Sequence, residues 1–177
     1  MATDTLARYG QEPAPLDPET LQALDAFRPT FWSRGNPVDI LGDASAERFR
    51  RVLEVCFNSK NLDGVLVILA PQALTDPLSV AESLAAAMKG RRYPVFTCWM
   101  GGKSIGKAGE ILNEAGIPTY DTPERAVRAF LYMVEYARNL SLLSVARIPK
   151  PSRRRHGTTR RNDYSALATP DRFPRNC

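Results

Sequence analysis

The sequence predicts an α/β domain, a parallel sheet covered by helices on both sides, followed by a disordered basic tail. Three observations predict it. The apolar runs DGVLVIL (residues 63–69) and YPVFTCWM (93–100) read as buried strands. Stretches of helical length, each with its own start signal, lie between and after them, and strands joined in that way form right-handed βαβ units. Charge, finally, divides the chain. Residues 1–143 hold 15 Lys+Arg against 17 Asp+Glu, a net of −2, whereas residues 144–177 hold 9 against 2, a net of +7.

The elements follow in order. ATDTLARYG reads as the end of an amphipathic helix closed by Gly10. GQEPAPL reads as a short edge strand, since its prolines exclude it from a central position. Asp17-Pro18-Glu19 places an N-cap, a first-turn proline and an acid ahead of TLQALDAF. After Asn36-Pro37 and the apolar pair of VDIL, Ser45 caps AERFRRVLEVCF, whose Phe49, Val52, Leu53 and Cys56 share a face. DGVLVIL, continuous in apolar residues, is expected to be buried on both faces. Thr75 or Asp76, followed by Pro77, opens a helix through Ala87. YPVFTCWM leads into the helix KSIGKAGEILNEAG, which closes at Gly116, and IPTY is a third, shorter strand. Asp121-Thr122-Pro123-Glu124 then starts a helix through ERAVRAFLYMVEYARNLSLL. From about Val145 the chain is rich in Pro, Arg, Ser and Thr without apolar periodicity, so a disordered tail is expected.

Composition narrows the function classes. The longest apolar run, residues 65–70, is far too short to span a membrane, and the first ten residues lack the pattern of a signal peptide. Cys56, Cys98 and Cys177 form neither a CxxC pair nor a metal-ligand pattern, which fits a reduced, cytoplasmic protein without a metal site. His156 is the sole histidine and lies in the Arg-rich tail, so no Ser-His-Asp or Cys-His set exists in the body. Trp32 and Trp99 read as packing residues rather than stacking platforms.

Two strand-to-helix crossings are the candidate sites. In CWMGGKSIGKAG the Gly102-Lys103-Ser104 triplet ends as a phosphate loop does, but a Walker loop needs a glycine where Thr97 stands. A tight turn with Ser104 near an N-cap is the preferred reading, with an anion contact through the backbone at this helix start left open. The loop after DGVLVIL carries Gln72, Thr75 and Asp76 beyond the carboxyl end of a strand, where open α/β sheets bind ligands. Capping by Thr75 or Asp76 is the simpler role there.

Four segments in this order, GNPVDILGDAS, DGVLVILAPQALTDP, YPVFTCWMGGKS and LNEAGIPTYDTPERAVRAF, resemble the last, flavodoxin-like ligase domain of NDP-forming acyl-CoA synthetases. That family includes ADP-forming acetate–CoA ligases and, more distantly, succinyl-CoA synthetase. The resemblance covers roughly residues 1–143. It implies an enzyme that interconverts acyl-CoA, ADP and phosphate with a carboxylate, CoA and ATP through a phosphohistidine. The whole enzyme uses CoA, ADP/ATP and Mg, held by CoA-binding, phosphohistidine and ATP-grasp parts that are this chain's implied partners. For the chain itself, the resemblance implies an acyl-phosphate loop at Pro71, Gln72 and Ala73, with Thr75 and Asp76 starting the next helix. It implies no catalytic residue, no metal ligand and no cofactor bound by this chain alone.

The resemblance also carries a departure. Family members precede this region with an apolar strand and a Gly-rich turn, and Met1-Ala2-Thr3-Asp4 matches a point already inside the helix that follows. The expected fold is therefore a flavodoxin-like three-layer sheet without its first strand. In the strand order 2-1-3-4-5 that strand is interior, so DGVLVIL is left with an unpaired edge. The chain is expected to be a fragment of such a ligase, inactive alone. Two rival classes stay open: a non-catalytic flavodoxin-like binding module, and a nucleic-acid-associated protein acting through the Arg-rich tail.

Overall fold

Three short strands set the frame: β1 (Val65–Leu69), β2 (Val95–Trp99) and β3 (Thr119–Tyr120), all parallel and hydrogen-bonded in the order β1-β2-β3. The computed structural model describes residues 1–27, 32–70, 72 and 75–145, so the predicted basic tail lies outside the described residues. Strands β1 and β2 are in register from Val65 opposite Val95 to Leu69 opposite Trp99, which puts the odd-numbered residues of both on one face. On that face Leu69, Val95 and Trp99 form the main core with α3 (Ala46–Asn58), α4 (Pro77–Met88) and α5 (Gly106–Glu114). On the other face Phe96 meets Phe130 of α6 (Pro123–Val145) edge-on, ring centroids 5.8 Å apart. Helix α1 (Ala2–Arg8) packs beside α6, and α2 (Pro18–Asp25) packs on α3. The result is the expected three-layer α/β arrangement.

Local chemistry explains most element ends. Gly10, at φ 67°, terminates α1 with two backbone bonds, Gly10 N–H to Ala7 O and Gln11 N–H to Leu6 O, both 2.9 Å. Asp17 caps α2 and accepts from the N–H of Thr20 at 2.8 Å. Ser45 caps α3, which buries Phe49, Leu53 and Cys56 and leaves Val52 half-buried. Pro18, Pro77 and Pro123 each stand in a first helical turn, where the missing N–H costs nothing. Trp32 and Trp99 are both buried, as packing residues should be.

Three expectations need correction. GQEPAPL forms no strand: the prolines remove the donors a ladder needs, and beyond the bonds of Gly10 and Gln11 back to α1 it accepts from the Asn36 side-chain amide at Ala14 O, 2.9 Å away. The helix expected from Lys103 starts later. A 3-10 turn, Gly102–Ile105, precedes α5, whose N-cap is Ile105 with no side-chain cap bond, so Ser104 is not the cap. Gly102 at φ 62° turns the chain there before helical geometry can begin. Lastly, β1 is not buried on both faces. Only Leu69 is buried, and Ile68 is 39% exposed.

The exposure of β1 follows from its place at the sheet edge. Val65 N–H donates to Pro94 O and Met100 N–H to Leu69 O, both at 2.9 Å. In a parallel ladder this turns the backbone groups of Val65, Val67 and Leu69 toward β2 and those of Leu66 and Ile68 away from it. Among the described residues, no strand pairs with that far edge. The segment Val38–Leu41, which ends with Leu41 at φ 64°, does not join the sheet, and it lines a cavity together with Ile68 and Leu69 of β1.

Candidate functional site

Both predicted crossings leave the same end of the sheet. Leu69 and Trp99 are paired neighbours, and the Met100 N–H bond to Leu69 O joins the starts of the two loops. This is the carboxyl end of the strands, where side chains from successive loops can converge on one ligand.

The loop after β1 forms one wall of a cavity of about 240 Å³; Val38–Gly42 forms the other, and Ile68, Leu69 and Phe49 contribute apolar floor. Thr75 is buried, and its hydroxyl donates to Gly42 O at 3.1 Å, with Ala44 O at 3.4 Å. It fixes the start of α4 against the Gly42 turn. Arg48 holds the same turn from the other side, donating to Ile40 O at 3.1 Å and pairing with Asp43 at 2.7 Å. The side-chain amide of Gln72 lies directly over Gly42: a Cβ there would sit 2.1 Å from Oε1. The contact is a close approach of a flexible side chain, so a residue larger than glycine at that point would displace the Gln72 amide from its place.

Asp76 has a structural job. It caps α4, accepting from the N–H groups of Leu78 and Ser79 at 3.2 Å each and from the Ser79 hydroxyl. The Ser79 hydroxyl, then the Ser79 and Leu78 amides, hold its carboxyl below the usual range. The choice between Thr75 and Asp76 as cap thus falls to Asp76. The consequence for binding is direct: two donors at the α4 start already serve a carboxylate, so an incoming anion would compete with it.

Of the other predicted site residues, Pro71 and Ala73 lie outside the described residues. Gly102 stands at the parallel crossing after β2, exposed, in the backbone turn described above. Lys103 continues that turn in the 3-10 segment. The structure therefore brings Gln72, Thr75, Asp76 and the Gly102 turn to one end of the sheet, and brings Gln72 and Thr75 onto one cavity. Sequence reasoning missed the opposite wall. Asp39, whose carboxylate accepts from Leu41 N–H at 2.8 Å, and Gly42 carried no signal beyond the turn ahead of Ser45.

Burial pushes the thiols of Cys56 and Cys98 up to about 11, so both stay protonated at neutral pH. No cluster of metal-ligating side chains occurs among the described residues, and no helix among them is long and apolar enough to cross a membrane. The indole N–H of Trp99, at the end of β2, is a buried donor without a partner among the described residues.

Comparison with known proteins gives this geometry a context. The Ligase-CoA domain family matches residues 1–144. An ADP-forming acetate–CoA ligase I of Archaeoglobus fulgidus is 41% identical over 138 residues, which is 78% of this chain and 19% of that protein. The subunit alpha of an ADP-forming acetate–CoA ligase II of Pyrococcus furiosus is 29% identical over 144 residues, 79% of this chain and 32% of that one. Among solved structures, the dinucleotide-forming acetyl-coenzyme A synthetase 1 of Ca. Korarchaeum cryptofilum, in complex with phosphate and ADP, superposes with a TM-score of 0.74. It is 32% identical, and the match covers 84% of this chain and 32% of that one. The chain thus spans between 19% and 32% of the length of these relatives.

Proposed function

Because the chain belongs to the Ligase-CoA domain family, we propose that it works as one domain of an ADP-forming acyl-CoA synthetase and has no turnover by itself. The reaction of the whole enzyme converts acyl-CoA, ADP and phosphate into a carboxylate, CoA and ATP through a phosphohistidine. The observation that carries this reading is the match to residues 1–144 together with 41% identity to an acetate–CoA ligase.

Within that enzyme the loop from Pro71 to Asp76 faces the acyl phosphate. Gln72 supplies an amide at the mouth of the cavity, able to donate to a phosphoryl or carboxylate oxygen. Thr75 positions the loop through the Gly42 turn, and Asp76 orders the start of α4 behind it. These residues do not suit a nucleotide or CoA. The cavity is about 240 Å³, carries an acid at Asp39, and its nearby cation Arg48 is already engaged by Asp43. CoA, ADP/ATP and Mg are accordingly held by other parts, the CoA-binding, phosphohistidine and ATP-grasp units.

The test replaces the matching 138-residue segment of the Archaeoglobus relative with residues 1–143 of this chain. Retained CoA- and ADP-dependent ATP formation from acetyl-CoA and phosphate supports the assignment, with Gln72→Ala lowering it. A folded chimera without activity, or turnover by this chain alone, overturns it.

A further inference from the structure

The two walls of the cavity beside β1 carry polar groups of different kinds. On the loop side, the Gln72 side-chain amide forms no hydrogen bond with another described residue and can both donate and accept. On the opposite wall, Asp39 lines the cavity, and its carboxylate turns back along that wall to accept from Leu41 N–H at 2.8 Å. Asp39 can only accept, and it has no ion-pair partner among the described residues, because Arg48 at the same turn is paired with Asp43. The Thr75 hydroxyl is already committed to Gly42 O. Between the two walls the floor is apolar, formed by Ile68, Leu69 and Phe49. A carboxylate or acyl-phosphate head is therefore received at Gln72, with its chain running over the floor toward Asp39. At about 240 Å³ the cavity falls below the ~300–1,000 Å³ of ordinary small-molecule sites, which limits that chain to a few carbons.

We propose that Asp39 sets the acyl specificity of this cavity, admitting short chains that end in a neutral group and rejecting chains that end in a second carboxylate. A second carboxylate at the far end of the chain meets a like charge, and the described residues lining the cavity include no cation to offset the pair. A methyl end meets the apolar floor instead. A hydroxyl end donates to the Asp39 oxygen that Leu41 N–H leaves free. Selection thus comes from a repulsive element rather than from a tighter fit to the preferred chain. The inference rests on the reading that residues 71–76 face the acyl phosphate, and it names the acyl class which that loop serves.

Heteronuclear NMR titration of the full chain tests it without any turnover. The probes are acetate, 4-hydroxybutanoate, succinate and monomethyl succinate at constant ionic strength, the ester matching succinate in length without its second charge. Acetate, 4-hydroxybutanoate and the ester should shift the Leu41 and Gly42 amides and the Gln72 side-chain amide saturably, and succinate should bind about tenfold more weakly than its ester. Asp39→Asn keeps an oxygen for Leu41 N–H, and it should bring succinate to within about threefold of the ester while leaving acetate nearly unchanged. The proposal is overturned if none of these acids shifts those groups saturably, or if succinate binds the parent chain as tightly as its ester does. A succinate penalty that persists in Asp39→Asn overturns it too. Its failure is separable from that of the ligase reading. An inactive chimera with the titration as expected removes the ligase reading and leaves a monocarboxylate site, whereas an active chimera with no succinate penalty removes only the role of Asp39.

Discussion

Strands β1 and β2 are the same length, run in the same direction and match residue for residue, yet they differ sharply in burial. VLVIL is wholly apolar and only Leu69 is buried; VFTCW contains a threonine and is buried at all five positions. Hydrophobicity does not rank them correctly because burial is decided by neighbours. Strand β2 has a strand on each edge and a helix layer on each face. Its Thr97 is tolerated there because the hydroxyl bonds to Pro118 O at 3.2 Å and Thr119 Oγ1 at 2.8 Å. Strand β1 has a strand on one edge only, so its apolar content exceeds what the described residues cover. An apolar open edge is a template for another strand and a hazard when left bare.

The largest expected effect lies in β2. Trp99 is 1% exposed in the centre of the main core, so Trp99→Ala should cost about 3–5 kcal/mol, from lost burial and the cavity left behind. Against a domain stability of roughly 5–15 kcal/mol this approaches unfolding. Urea denaturation measures it, and a loss below about 1.5 kcal/mol would mean that β2 is not the packed centre it is argued to be.

Gly64→Ala comes next and probes where the two strands begin. The new methyl group would lie 2.9 Å from the Phe130 ring, 3.2 Å from Pro94 O and 3.4 Å from Pro94 Cβ. The ring can shift; the carbonyl is the one that bonds Val65 N–H. A loss of about 1–3 kcal/mol is expected, as for overpacking, and Phe130→Leu in the same chain should recover part of it. An Ala variant as stable as the parent would show that β1 starts with more slack than this contact allows.

The contrast also explains what the sequence disclosed. Asp17-Pro18-Glu19, Asp76-Pro77 and Gly10 each act within a few residues of themselves, and every one is where its local chemistry puts it. The two main strands were legible as apolar runs, and the loop after β1 was legible as a strand-to-helix crossing. Exposure of β1 was not, because it depends on which strand stands beside it rather than on VLVIL. GQEPAPL was misread because its prolines exclude a central strand without showing that an edge strand has a partner to pair with. The cavity was half-legible for a similar reason. Gln72 was visible in its loop, but its contact with Gly42 and the Thr75 bond to Gly42 O join residues about thirty positions apart. The role proposed for that loop rests on the family resemblance and not on periodicity or spacing.

A smaller effect concerns the lead-in to β1. Asp17 joins α2 to the end of α3: besides the Thr20 amide, its carboxylate accepts from the Ser59 hydroxyl at 2.7 Å and the Thr20 hydroxyl at 2.9 Å. The Thr20 amide first, then the two hydroxyls, lower its pKa to about 2 from an ordinary 3.8. A carboxylate depressed in the folded state contributes stability above its unfolded pKa and loses it as pH falls through the folded one. Stability should therefore drop between about pH 4 and pH 2, and Asp17→Asn should be less stable at neutral pH with a flatter acid limb. Denaturation midpoints from pH 7 to pH 2 check this, and parallel curves for the two proteins would remove Asp17 from the account.

The smallest effect is expected where the sequence looks most demanding. Ile68 sits in the middle of an apolar strand, so a reading from sequence alone makes Ile68→Thr a core lesion. Its side chain is 39% exposed at an unpaired edge, beside a cavity rather than in the core. The substitution should shift stability by no more than about 0.5 kcal/mol in either direction. Amide hydrogen exchange gives the backbone half of the same test. Val67 and Leu69 N–H point at β2 and should exchange slowly, whereas Leu66 and Ile68 N–H face the open edge and should exchange fast. Slow exchange at those two amides, together with a loss above about 1.5 kcal/mol for the threonine variant, would mean that in solution something pairs with β1. Burial would then differ between the strands far less than it does here, and the neighbour that erased the difference would be the partner to identify.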